Sequence, residues 1–167
     1  DVAYEYSYFD SDSTIATLER VAKMASDASD SYMSVKTAFR ISRILTTLGY
    51  YKESSDIIDS INRKTIPRSL LFEYFEAKEF LCYELFHVDG SRLEFQDMYE
   101  EQYRAYMDSV ILYAPEKSEY GLRSKEKKAL MFNDFDYAMQ CNHKRMELAV
   151  KGSIAESFVF YERNIIY

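Results

Sequence analysis

The sequence predicts an all-α chain, an α-solenoid of stacked antiparallel helical hairpins, with a non-repeating helical bundle as the alternative. Three observations carry that prediction. Only four Gly and two Pro punctuate 167 residues. Apolar residues recur at three- and four-residue steps, the period of a helix face, and the alternation of a strand is missing. The clearest pair of such stripes is hinged at Leu48-Gly49-Tyr50-Tyr51, where glycine can take the positive φ that ends a helix at little cost.

Taken in order, the run from Asp10 opens with Asp and Ser residues that accept hydrogen bonds from the free N–H groups of a helix start. It then sets Ile15, Leu18, Val21 and Ala22 on one side. A helix preceding it would lie in residues 1–9 or upstream, and residues 27–31 form the next loop. Ala38, Ile41, Leu45 and Leu48 mark the following stripe, and Ser54, Ile57, Ile58 and Ile61 mark its partner. Two amphipathic helices joined by so short a turn pack antiparallel, and Pro67 closes the pair because proline cannot continue a helix. A core truncation such as Leu48→Ala is expected to cost roughly 2–5 kcal/mol.

After Pro67, Leu71, Tyr74, Phe75, Lys78, Leu81, Cys82 and Leu85 form one broad face, widened by Phe72, Phe80, Tyr83 and Phe86. A helix apolar over so much of its circumference is enclosed by neighbours. Asp89-Gly90-Ser91 ends it. Phe95, Met98, Tyr99, Tyr103, Tyr106, Val110 and Tyr113 make the next stripe, and Pro115 closes this pair 48 residues after Pro67. A third pair starts near Ser118, with Tyr120, Leu122, Ala129, Leu130 and Phe132 on its first helix. Asn133-Asp134 replaces the turn glycine, since Asn tolerates the left-handed conformation. Phe135, Ala138, Met139, Met146 and Ala149 follow, so that Phe135 and Ala138 stand where Tyr51 and Ser54 stand 84 residues earlier. Gly152 ends that helix, and Ile154, Phe158, Tyr161 and Ile165 share one side of the last one.

The order of residue types across the first hairpin resembles a tetratricopeptide repeat, whose unit is about 34 residues. Ile41 and Leu45 take aliphatic or aromatic sites, Ser42 and Ser54 the small sites where two helices touch, Gly49 and Tyr51 the turn pair, and Ile58 the aromatic site of the second helix. The departures are Ala38 at a usually bulky site, Ile61 at a usual Ala, and Pro67 one residue late. The resemblance implies a right-handed superhelix, a single domain over residues 1–167, and a concave groove lined by the first helices of successive repeats. It places Lys36, Phe39, Arg40 and Arg43 on groove-facing positions, with Arg123 and Lys127 on the matching side of the third hairpin. A basic groove in an acidic protein suits a protein or peptide partner with acidic groups, because Arg can grip a carboxylate through two parallel N–H bonds. The bland alternative is a solvated helix face with local ion pairs. The long Tyr-rich helices are also similar to the tetratricopeptide-like sensor regions of membrane-anchored regulators in Bacteroidetes, which implies a sensor or interaction role and a periplasmic setting; without that likeness a cytoplasmic one is expected. The chain, starting at Asp1 without Met and stopping at Tyr167 inside a helical pattern, is read as part of a longer protein.

Other classes fare worse. A net charge of −7, from 21 basic and 28 acidic residues, repels a phosphate backbone, so no nucleic acid is expected to bind this segment. No apolar run approaches the roughly 18 residues of a membrane helix. Cys82 and Cys141 are too few for a disulfide framework or zinc site. Cys141 and His143 point about 200° apart on one helix and cannot close on one metal. The acidic groups Glu73, Glu76 and Glu79, or Glu100 and Glu101, read as solvated helix faces. No phosphate loop, nucleophile elbow or metal spacing is present, so neither an enzyme nor a cofactor is expected. Sixteen Tyr are more simply core than an aromatic pocket. A small-molecule binder or enzyme with an interhelical pocket, and a spacer within a longer array, remain as alternatives.

Overall fold

The structure is a computed structural model and describes residues 11–88, 93–115 and 117–166. Eight α-helices occur among them: α1 (Ser11–Asp27), α2 (Ser31–Thr47), α3 (Tyr51–Asp59), α4 (Leu71–His87), α5 (Leu93–Tyr113), α6 (Glu119–Met131), α7 (Phe135–Leu148) and α8 (Ile154–Ile166). Short 3-10 turns at Arg63–Thr65 and Arg68–Leu70 join α3 to α4. The described residues contain no strand, and the helices pack as adjacent pairs. The chain divides into two compact units, residues 1–106 and 107–167, with the division inside α5. The expectations for residues 1–9, Asp10 and Asp89-Gly90-Ser91 fall outside the described residues.

In the first unit α2 packs against α1, α3 and α4. Asp30 caps α2 by accepting from the Met33 N–H at 2.9 Å. At the other end Gly49 takes φ 83°. That lets the Tyr50 N–H reach back to the Leu45 carbonyl at 2.9 Å and satisfies an end carbonyl of the helix. The two small residues meet where α2 crosses α3: Ser42 Oγ lies 2.8 Å from Ser54 Oγ. Thr46 Oγ1 adds a second contact to Ser54 at 2.7 Å. All three are buried, and the hydroxyls satisfy one another, so polar side chains are tolerated at a close crossing. Ile58, Ile66 and Leu70 are buried, and so are Tyr74, Phe75, Ala77, Leu81 and Cys82 of α4, as its broad apolar face implied. Tyr83 and Phe75 of α4 meet Tyr103 and Tyr106 of α5 at ring separations of 5.4 and 6.3 Å.

One expectation for α2 needs correction. The residues buried there are Thr37, Phe39, Ser42, Ile44 and Thr46, whereas Leu48 is 41% exposed. Leu48 is the C-cap residue, so its side chain projects past the last turn and away from the core. Ala38, Ile41 and Leu45 are half-buried. In α5 the exposed Phe95 and Met98 depart from the stripe in the same way.

The second unit repeats the hairpin. Ser118 caps α6 through the Gly121 N–H at 3.1 Å, and Asp134 caps α7 through the Tyr137 N–H at 3.1 Å. Asn133 holds the left-handed turn with φ 58°, and the Asp134 N–H reaches the Ala129 carbonyl at 2.9 Å, the same closure as Tyr50 to Leu45. Ala138 fills the site of Ser54 and is fully buried. Gly121 is required by contact: a Cβ there would sit 2.5 Å from the Ala114 Cβ. Phe132 and Phe135, expected in the core, flank the turn and are exposed. On α8 the residues packed inward are Val159 and Ile166, while Phe158, Tyr161 and Ile165 form an exposed stripe.

Candidate functional site

Of the basic side chains of α2, Arg43 is placed against α4. Lys36 is half-buried, with its ammonium 5.7 Å from the centre of the Tyr32 ring. Arg40 is exposed, one turn on. Arg43 forms an ion pair with Glu76 of α4 and lays its guanidinium over the Phe80 ring at 5.2 Å. Such stacking suits the flat, weakly hydrated guanidinium better than it would an ammonium. Phe39 lies beneath this stripe. It is 2% exposed, with its ring 5.8 Å from that of Tyr74, so it fixes α2 against α4 and presents no surface of its own. A second acid–base contact joins α3 to α4: Lys78 Nζ lies 2.5 Å from Asp59. Burial pushes the Asp59 carboxyl up, but hydrogen bonds from Lys78 and Ser55 outweigh it and hold Asp59 below the usual range.

In the second unit Arg123 pairs with Glu162 of α8, with Nη2 2.8 Å and Nε 2.9 Å from Oε1. Lys127 is half-buried one turn further along α6. Arg123 is one part of a buried charge network that the apolar pattern did not reveal. Arg145 of α7 is 1% exposed and touches three carboxylates. Its Nη1 is 2.8 Å from Glu126 Oε2, its Nε and Nη2 are 2.9 and 2.7 Å from Glu119 Oε1, and its Nη2 is 2.6 Å from Glu162 Oε2. This last pair is close but not aligned as a hydrogen bond, and Glu162 Oε2 has no other partner. Asn142 donates to the Val159 carbonyl at 3.1 Å and, more loosely, to Glu126 Oε1 at 3.4 Å.

Glu126 and Glu162 are driven in opposite directions. Burial raises the Glu126 pKa, and its contacts with Arg145 and Asn142 only partly offset that. Burial also acts to raise Glu162, but Arg123 and Arg145 together overcome it and lower its pKa. The sequence held one signal for this network, polar or charged residues at positions that are apolar or small in the first hairpin. Glu126 and Asn142 follow Ser42 and Ile58 by 84 residues.

His87 Nδ1 sits 2.7 Å from the Tyr83 carbonyl, and His143 is exposed. Among the described residues no three His, Cys, Asp or Glu side chains are placed to hold a metal ion, and no helix is long and apolar enough to cross a membrane. A family model described as "SusR N-terminal TPR domain" matches residues 1–167. No curated protein and no solved structure matches the chain.

Proposed function

From the premise that the chain belongs to the SusR N-terminal TPR domain family, the TPR domain of a Bacteroidetes regulator and not a catalytic family, we propose that it is the interaction region of that regulator, binding a protein or peptide that carries acidic groups. TPR domains generally mediate protein interactions. The binding face proposed is that of α2, with Lys36, Arg40 and Arg43 as contacts and Phe39 as the support beneath them. Arg123 and Lys127 are the corresponding pair on α6.

The observation that supports this reading is the basic row that Lys36, Arg40 and Arg43 make along α2, with Arg43 held in place by Glu76 and the Phe80 ring. A half-buried arginine against an aromatic face strengthens a charge-assisted hydrogen bond, because water competes less there. A carboxylate from a partner could exchange for that of Glu76, with Lys36 and Arg40 meeting further acidic residues along the helix.

The test compares a fluorescent Glu-rich peptide with its Gln-substituted counterpart by anisotropy at two salt concentrations. Preferential binding of the acidic peptide that weakens with salt, and falls at least about tenfold in Lys36→Glu/Arg40→Glu, is the expected result; one charge reversal at an exposed contact contributes about 1 kcal/mol or less, so two are needed to give that loss. Equal binding by the double variant would remove this face from the proposal.

A further inference from the structure

We propose that the loop joining α3 to α4 is a second docking surface, separate from the α2 face, and that it takes an acidic segment of a protein partner. The first reason is its charge. Residues 60–72 hold Arg63, Lys64 and Arg68 and no Asp or Glu, in a chain whose net charge is −7. All three side chains are exposed. Arg43, Arg104, Arg123 and Arg145 each face a carboxylate, whereas among the described residues Arg63, Lys64 and Arg68 pair with none. Of the acids that flank the loop, Asp59 is engaged by Lys78, and Glu73 lies in the first turn of α4.

The second reason is that the backbone of this loop is fixed. Ile66 and Leu70 are buried and anchor it on both sides of Pro67, whose ring sets the φ angle. The Lys64 N–H donates to Asn62 Oδ1 at 3.0 Å, the Thr65 hydroxyl to the Asn62 carbonyl at 2.8 Å, and the Leu70 N–H to the Pro67 carbonyl at 2.8 Å. The cations therefore stand on a segment that is ordered before a partner arrives, which lowers the entropy cost of binding. Arg63 lies over the Phe75 ring at 5.1 Å. The ring steadies its guanidinium, whose N–H groups remain to grip a carboxylate from outside through two parallel bonds.

The third reason is position. Arg43 rests on Phe80 and Arg63 on Phe75, both of α4. Residues five apart on a helix point about 140° away from each other, so the two arginines belong to different sides of α4. The chemistry of the partner follows from what the loop lacks. Its aliphatic side chains Ile66 and Leu70 are buried and offer nothing to a bilayer. No aromatic ring stands between Arg63 and Arg68 for a base to stack on, and the net charge repels a long phosphate backbone. Carboxylates spaced along a peptide match cations spaced along a loop. Because salt confines the field of surface charges to about 8 Å, a short acidic segment responds to these cations more than to the rest of the chain.

Amide NMR of the whole isotope-labelled chain tests this with a Glu-rich peptide and its Gln-substituted counterpart. The acidic peptide alone should shift the amides of residues 62–70, and added salt should weaken the effect. The affinity read from those shifts should fall at least about tenfold in Arg63→Gln/Lys64→Gln/Arg68→Gln, since each exposed charge contributes only modestly and three are removed. In Lys36→Glu/Arg40→Glu it should stay within about twofold of the parent, as for independent sites, so that failure of the α2 face leaves this surface standing. Loop amides that stay still in the parent chain, that move equally with the Gln peptide, or that lose their response with the α2 charge reversals would each overturn the proposal. So would a stronger response of the same amides to anionic phospholipid vesicles or to inorganic phosphate.

Discussion

Ile58 and Asn142 occupy the same position of their respective hairpins, 84 residues apart, and both are completely buried. The turn residues Gly49 and Asn133 and the crossing residues Ser54 and Ala138 keep the same register. One backbone arrangement is therefore filled by an apolar side chain in the first unit and by a polar one in the second. The polar version carries Arg145 and its carboxylates with it, and the two parts of that network should respond differently to substitution.

Asn142→Leu keeps the shape of the side chain and removes an amide whose Oδ1 is unpaired. It gives up a loose contact to Glu126 and a bond to the Val159 carbonyl. Loss of the donor to the buried Glu126 Oε1 costs about 1–3 kcal/mol, offset in part by removal of the unpaired Oδ1, so urea unfolding should shift by about 1 kcal/mol. Arg145→Leu instead leaves Glu119, Glu126 and Glu162 gathered with one fewer cation. That change should cost about 3–5 kcal/mol. Equal costs for the two variants would show that Asn142, too, is bound into the charge network.

Truncating Phe39 and truncating Leu48 should also separate. Phe39 is packed on Tyr74 and almost without exposure, so Phe39→Ala should cost about 3–5 kcal/mol. Leu48 caps the end of α2 and faces solvent, which brings Leu48→Ala down to about 0.5 kcal/mol, as for a surface change. Thermal unfolding of the two variants checks the order directly.

This pair of residues shows what the sequence made legible. Periodicity located the helices and the turns, because a three- and four-residue rhythm and a left-handed residue are local properties. The small crossing at Ser42 and Ser54 comes from the resemblance to a tetratricopeptide repeat, not from periodicity. Periodicity cannot show which flank of α2 meets α4, so the apolar stripe wrongly takes in Leu48, and the resemblance puts Phe39 on the groove. On α8 the more obvious apolar stripe, Phe158, Tyr161 and Ile165, is the exposed one. The charge network escaped for a related reason: Glu119, Glu126, Arg145 and Glu162 come from three helices, and a charged residue in a helical sequence reads as a solvated face until its partners are known.

The two cysteines are free and buried, which predicts their reactivity. Burial pushes the Cys82 thiol up to about 11 and raises Cys141 as well. Since the thiolate is the reacting form, native protein at pH 8 should consume an aromatic disulfide reagent far more slowly than a free thiol. Both equivalents should react promptly in denaturant. Fast labelling of Cys141 alone in the native state would show that the α6–α7 hairpin opens locally.

Acid should distinguish Glu162 from Glu126. Glu162 has a lowered folded pKa, so its stabilising contribution is complete above the ordinary glutamate value of about 4.3. That contribution is lost as pH falls through the folded value. Glu126 has a raised folded pKa, so its neutral form is favoured in the fold and its contribution changes in the opposite sense, with stability gained as pH falls through that raised value towards the ordinary one. At pH 7, Glu162→Gln should therefore cost about 1–3 kcal/mol, the range for a hydrogen bond to a charged group. Glu126→Gln should cost less, because burial disfavours the charged form of Glu126 and Gln is a neutral group of the same shape. Urea unfolding of the two variants and the parent chain at pH 7 and near pH 3 checks both signs. The deficit of Glu162→Gln should shrink at the lower pH as the parent chain loses the same ion pair, and a deficit that instead grew would mean that Glu162 is not held ionised by Arg123 and Arg145.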